Sequence, residues 1–365
     1  MAKKNRFSAA LAALLAVVCL FVGVCGGYFG YLYVHRPIES EVYTAGSLQI
    51  HFPELGNKYT GDCTYIKAGD TDILIDAGSK TSSIPAISAY LDRFVTDGTL
   101  EYVIVTHAHE DHYAGFATNE NKESLFDLYV CNTIIDFAHT HKDETAVMYG
   151  NYLRELADEV AAGALHYTAK QCVDSGKTVF PLSESASLTI LDQQYYHEKS
   201  PDKNDENNHS VCVLISEEND HFLFTGDLEK AGEESLAERN DLPHVKLYKA
   251  GHHGSSTSSH EVLLQEIRPE ICCVCCCAGS SEYSPLSASQ FPTQEFIDRI
   301  APYTDAVYVT TLCLDYTSDS FTSFNGNIVV SYAFGSVTVH GSASDAKLKD
   351  TEWFRQNRKT PDCWK

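Results

Sequence analysis

The chain has 365 residues, 44% apolar and 11% aromatic, enough to bury one large core or two ordinary ones and too apolar for a disordered polypeptide. Its formal net charge of −23 opposes non-specific attraction to nucleic acid, which depends on Lys and Arg neutralising phosphates, so bulk charge implies no stable nucleic-acid binding. Anionic substrates stay open, small or polymeric, because bound cations invert the local field.

Residues 1–8 form a basic stretch with Lys3, Lys4 and Arg6, and residues 9–34 hold no charged side chain. A run this long predicts a bilayer-crossing helix, and no small-x-small site closes it, so an uncleaved signal anchor is favoured over a cleaved secretory signal. The membrane is then one partner, and the expected topology is single-pass in the cell membrane with the body extracellular. Residues 35–46 read as a linker, 47–341 as the globular body and 342–365 as a polar C-terminal tail.

The body opens with two half-buried stretches, around Ile50-His51-Phe52 and Gly61-Asp62-Cys63-Thr64-Tyr65, and a strand at Thr71–Gly78 whose end carries Asp76. A helix is expected from Pro85 to Val95. The β-branched run Leu100–Val105 then reads as a buried strand feeding Thr106-His107-Ala108-His109-Glu110-Asp111-His112. Imidazole nitrogen and carboxylate oxygen are what a borderline divalent cation such as zinc binds, and the spacing offers two groups, His107 with His109 and Asp111 with His112, which suits two adjacent metals.

This H-x-H-x-D-H pattern resembles the defining motif of the metallo-β-lactamase-fold hydrolases. Gly61-Asp62, a strand, and Ile75-Asp76-Ala77-Gly78 resemble the N-terminal half of that fold, in particular the exported hydrolase domain of the DNA-uptake competence protein ComEC and its relatives. Lys58-Tyr59-Thr60 interrupt the compact glycine turn of that branch. The resemblance implies that Asp76 accepts hydrogen bonds and orients the metal loop.

Residues 117–205 are the least legible, with a helix expected over 144–162, a strand over 188–191 and an exposed acidic loop over 200–208. His209 stands at the mouth of the next strand, where this fold commonly supplies a ligand, although ComEC-like relatives often carry Asn-x-Ser there with no His ligand. The strand 221–225 ends in Gly226-Asp227, and Asp227 looks like the family's bridging carboxylate. After a helix over 228–239, the strand 245–250 leads into Gly251-His252-His253-Gly254-Ser255, which is similar to the ComEC-like branch. The preferred assignment takes His252 as ligand and His253 as its catalytic neighbour, the order staying open. Ser258 and Glu261 suggest a capping box for a helix reaching Ile267.

Five of the thirteen cysteines fall in Ile271–Cys277. The C-x-x-C spacing raises a zinc site or disulfides, but residues three apart on a strand face opposite ways, so core packing is the expectation. That many thiols in an exported body points to a reducing or anaerobic habitat. A helix over 293–300, a strand over 306–310 and a hairpin over 328–339 complete the pattern.

The resemblance implies an α/β fold, an αββα four-layer sandwich of the metallo-β-lactamase type, with two divalent metal ions, zinc or alternatively manganese. His107 and His109, with His209, would hold the first; Asp111, His112 and His252 the second; Asp227 would join them. It implies hydrolysis by a metal-bound hydroxide, Asp111 guiding the water's proton. A phosphodiester is the favoured substrate, nuclease-like or phosphorylcholine-esterase-like, in a small molecule or in DNA or a cell-wall polymer. The alternatives are a lactamase or lactonase on the same fold, and a catalytically silent binding module.

Overall fold

Residues 47–118 and 122–365 are described by the computed structural model. The expected anchor over 9–34, the basic residues before it and the linker after it lie outside the described residues. No helix among the described residues is long and apolar enough to cross a membrane.

Short β-branched and aromatic runs alternate with turns and helices, and they pair into two eight-stranded sheets. In chain order the strands are β1 (Leu48–Phe52), β2 (Cys63–Ala68), β3 (Thr71–Ala77), β4 (Thr99–Ile104), β5 (Val130–Asp136), β6 (Leu165–Thr168), β7 (Val179–Pro181) and β8 (Ala186–Leu191). They continue with β9 (Cys212–Glu217), β10 (Asp220–Phe224), β11 (Leu247–Lys249), β12 (Ile271–Ala278), β13 (Val307–Asp315), β14 (Ser320–Ser323), β15 (Ile328–Ala333) and β16 (Ser336–Gly341). One sheet runs β16-β15-β1-β2-β3-β4-β5-β6 and the other β14-β13-β12-β11-β10-β9-β8-β7. Strands β3 to β6 pair in parallel, as do β10 to β13. Ligands gather beyond the C-terminal ends of such parallel strands.

The cysteine strand shows why the layers stack. Cys273 and Cys275 join the core shared by the two sheets, with Ile50, Ile66 and Phe222. Cys272, Val274 and Cys276 face the other way, onto a core that includes Leu263, Ile267, Phe296 and Phe354. Period-two alternation buries β12 on both faces, and all five thiols are free.

Two sequence expectations change. Residues 342–365 are not a tail: the helix Glu352–Asn357 and flanking turns bury Leu348, Phe354 and Trp364 against the second core, because those three apolar side chains cover an otherwise bare face. Ser258 is not a cap: its hydroxyl donates to the Leu228 carbonyl at 2.6 Å, and His260 is the N-cap of the helix Glu261–Ile267.

Candidate metal centre

The loops after β3, β4, β10 and β11 meet at one edge of the two sheets. Asp76, at the end of β3, has a left-handed backbone (φ 58°), a strained conformation for a non-glycine residue that its surroundings must hold. They do: its carboxylate accepts from the Thr106 amide and hydroxyl, each at 2.7 Å, and lies 2.7 Å from His112 Nδ1. One buried anion thereby fixes the start of the metal loop and the ring of its last histidine. Gly78 is required by close approach, since a Cβ there would sit 1.5 Å from the Asp111 carbonyl oxygen.

The imidazoles and carboxylates converge. His107 Nε2 and His109 Nδ1 are 3.0 Å apart. His112 Nε2 is 3.2 Å and His253 Nε2 3.3 Å from Asp227 Oδ2, and His253 Nε2 is 3.4 Å from Asp111 Oδ2. Ligands at about 2.0–2.1 Å from one tetrahedral cation lie about 3.3 Å apart, so these spacings suit shared cations. His107, His112 and Asp227 form one group with converging ligand atoms, and Asp111, His112 and His253 form another. His112 Nε2, His253 Nε2, Asp227 Oδ1 and Asp62 Oδ1 are buried without a hydrogen-bond partner, which buried polar atoms rarely tolerate unless something else binds them. The donor set therefore fits divalent cations.

The electrostatics are those of a site built for positive charge. Burial pushes the Asp227 carboxyl up, but His112, His253 and His252 outweigh it and hold the group well below the usual range. For His112 burial works downward and the Asp227 and Asp76 carboxylates win, raising it well above an ordinary imidazole. His107, with less anionic company, is driven well below by burial and by His112 and His109.

Asp62 and Lys249 were not assigned from sequence. They form an ion pair buried on both sides, and Lys249 Nζ also lies 3.9 Å from Asp227 Oδ1. Asp62 Oδ1 is 3.1 Å from His253 Nδ1. The available signal was the lysine itself, a charge within the buried strand Leu247-Tyr248-Lys249. Tyr283 was also missed: its hydroxyl donates to Asp111 Oδ2 at 2.6 Å from a loop that packs Phe291 near His253, ring centroids 6.0 Å apart. Arg358 gathers that loop from the C-terminal helix, donating to the carbonyls of Pro292, Ser287 and Gln290 at 2.8, 3.3 and 2.5 Å.

Geometry brings His253, rather than the expected His252, among the converging ligand atoms. Both have left-handed backbone (φ 46° and 54°). That turn points His253 inward, whereas His252 keeps 22% of its side chain exposed, bonds Thr257 Oγ1 through Nδ1 at 2.8 Å and stands 3.8 Å from Asp227. His209 is not brought to the cluster. Its Nε2 accepts from the Ser200 amide at 3.2 Å and its Nδ1 faces Glu206 at 3.6 Å. The neighbouring Asn208-x-Ser210 serves the site instead: Ser210 Oγ accepts from the Asp227 amide at 3.1 Å and lies 3.3 Å from His107 Nδ1, and Asn208 Oδ1 accepts from the Glu229 and Gly232 amides.

The family model of the metallo-β-lactamase superfamily matches residues 56–118, the segment carrying Asp62, Asp76 and the histidine loop. The chain is 31% identical over 102 residues to Recombination protein 2 of Haemophilus influenzae, covering 28% of this chain and 12% of that protein. It is 27% identical over 175 residues to ComE operon protein 3 of Bacillus subtilis, covering 47% of this chain and 19% of that one. The chain carries a metallo-β-lactamase domain, and both curated matches are consistent with the ComEC-like branch. The aligned segments thus span less than a fifth of either curated relative. Among solved structures, the metallo-β-lactamase fold protein YhfI from Bacillus subtilis aligns with a TM-score of 0.40 at 11% identity, over 72% of this chain and 95% of that one.

Proposed function

We propose that the domain is a metal-dependent phosphodiesterase. The observation that carries the reading is that the converging ligand atoms open onto a pocket of about 420 Å³ whose wall holds His109, Asp111, Asp227 and His252 together with Lys142, and with Lys80 set between Glu110 and Glu282 at 3.9 and 3.8 Å. In a chain of net charge −23, a lysine without a carboxylate partner among the described residues, Lys142, beside a cation-binding cluster favours an anionic substrate over a neutral lactam or lactone.

His107, His109, Asp111, His112, Asp227 and His253 would hold two divalent cations, zinc or manganese. Such cations would lower the pKa of water for attack at neutral pH and offset charge developing on the phosphoryl oxygens. The protein's own groups do the rest. Asp76 and the Cys275 carbonyl hold the rings of His112 and His253 from behind, each through Nδ1, and Tyr283 aims the Asp111 carboxylate. His252, partly exposed at the pocket with Nδ1 engaged by Thr257, is set to hydrogen-bond a substrate oxygen through Nε2. Lys142 would orient the non-bridging oxygens.

The relatives' names, one for recombination and one for the ComE operon, support including nucleic acid among the substrates tested. The uncharged run over 9–34 supports single-pass anchoring with an extracellular body, and labelling the intact cell surface against the domain would test that orientation. Metal analysis of purified protein, followed by assays on bis-p-nitrophenyl phosphate, DNA, choline-phosphate esters, a lactam and a lactone, tests the activity. Metal-dependent cleavage of a phosphodiester is expected; opening of the lactam or lactone with all diesters intact would overturn it, and metal-loaded protein inert on every substrate would favour the silent binding module.

A further inference from the structure

Beyond His109 the pocket does not end. A second recess of about 300 Å³ shares His109 and Lys142 with the metal-facing one and adds His141, Lys203, Asn204 and Glu206. We infer that this recess binds a second phosphate of the substrate, one unit along the chain from the diester at the metal centre. The inference rests on the phosphodiesterase reading and narrows it to substrates with a repeating phosphate backbone.

Three features favour an anion here. The recess presents two ammonium groups, Lys142 and Lys203, from loops far apart in sequence. Among the described residues neither is tied up in an ion pair, unlike Lys67, Lys80 and Lys246, which face carboxylates. Glu206, the one acid in the wall, is turned inward: Oε2 accepts from the His141 amide at 2.9 Å and Oε1 faces His209 Nδ1 at 3.6 Å.

The recess is also built. Ser200 is gripped on both sides, its amide donating to His209 Nε2 at 3.2 Å and its carbonyl 3.0 Å from His141 Nε2. Its hydroxyl donates to Asp205 Oδ2 at 2.7 Å. These bonds hold the loop that bears Lys203 against the segment that bears Lys142. His209 and His141, outside the metal cluster, thereby acquire a role as the clamp that forms the recess. With the two loops already held together, less backbone ordering remains to be done when a phosphate binds between the lysines.

The test compares esters that differ by one phosphate. The p-nitrophenyl ester of thymidine 5′-phosphate, with and without a 3′-phosphate, forms one pair; the p-nitrophenyl ester of glycerol phosphate, with and without a second phosphate, forms the other. Metal-loaded wild type should prefer the doubly phosphorylated member of at least one pair by about tenfold in kcat/KM, mostly through KM, and the preference should shrink as salt rises. Preference confined to the nucleoside pair assigns a nucleic-acid backbone; preference confined to the glycerol pair assigns a polyol-phosphate polymer. Lys203→Ala and Lys142→Ala should each reduce the preference at least threefold, with Lys203→Arg retaining it. Equal cleavage within both pairs, or a preference untouched by both alanine variants, overturns the recess while leaving the phosphodiesterase standing. Failure to cleave any of the four esters overturns both.

Discussion

Tyr283 Oη donates a 2.6 Å hydrogen bond to Asp111 Oδ2 across 172 residues of sequence, so a substrate-side loop sets the orientation of a candidate metal ligand. Such outer partners are typically worth about 10–100-fold in metal affinity. Tyr283→Phe should therefore weaken the second cation by about tenfold or more, read by titration against a chelating dye, with little change in thermal stability of the metal-free protein. Unchanged affinity would mean that Asp111 is held by other groups once loaded.

Lys249 and Asp62 are a buried pair with 3% of each side chain exposed. Removing one partner of such a pair costs about 3–5 kcal/mol because the other charge is stranded. Lys249→Met should lower the melting temperature in chelator on the order of 10 °C. Saturating divalent metal should recover much of that loss, since a cation against Asp227 and Asp62 replaces the missing positive charge. A deficit of the same size with and without metal would show that Lys249 serves only the fold.

The His252-His253 turn separates binding from turnover. His253→Ala should lower metal stoichiometry by about one ion, whereas His252→Ala should keep both ions and lose mainly kcat, on the order of 10²-fold if its hydrogen bond acts in the transition state. Elemental analysis beside steady-state kinetics decides. Loss of an ion in His252→Ala alone would restore the assignment favoured by the sequence.

His51 lies inside the first core, its Nδ1 2.8 Å from the Tyr90 hydroxyl. Burial, with a smaller contribution from Arg93, lowers its pKa from 6.5 to about 3. The unfolded chain therefore binds more protons than the folded one between these values, so this residue costs stability as pH falls below 6.5, approaching about 1.4 kcal/mol per pH unit. Between pH 7.5 and 5 the wild type should lose about 2 kcal/mol more than His51→Gln in urea unfolding with chelator present. Parallel losses would mean that the ring charges without penalty.

The clustered residues on contiguous strand-end stretches are legible in the sequence: the loop over 107–112, Asp227, and the His-His pair all stand where an apolar run stops. Which of two adjacent histidines turns inward is not, because the choice lies in two left-handed backbone residues rather than in side-chain chemistry. Asp62 was seen as part of a glycine turn and given no role, since its partner Lys249 is 187 residues away. His209 was drawn toward the metals by its place before a strand; one short turn, Asn207–His209, sends its ring to Ser200 and leaves Ser210 against His107. The cysteine strand was read correctly because period-two alternation needs no knowledge of partners. Tyr283 and the C-terminal helix were illegible for the opposite reason, their meaning being wholly tertiary.

Arg358 gives the end of the chain a hold on the beginning of the chemistry. Its guanidinium is what keeps three carbonyl oxygens of the 287–292 loop facing one another; without that fork they would repel, and Tyr283 would drift from the carboxylate it aims. A protease nick or a bulky fusion near residue 350 would then impair the proposed hydrolysis without touching a single candidate ligand, and an assay on a shortened protein would mistake a lost buttress for an inactive site.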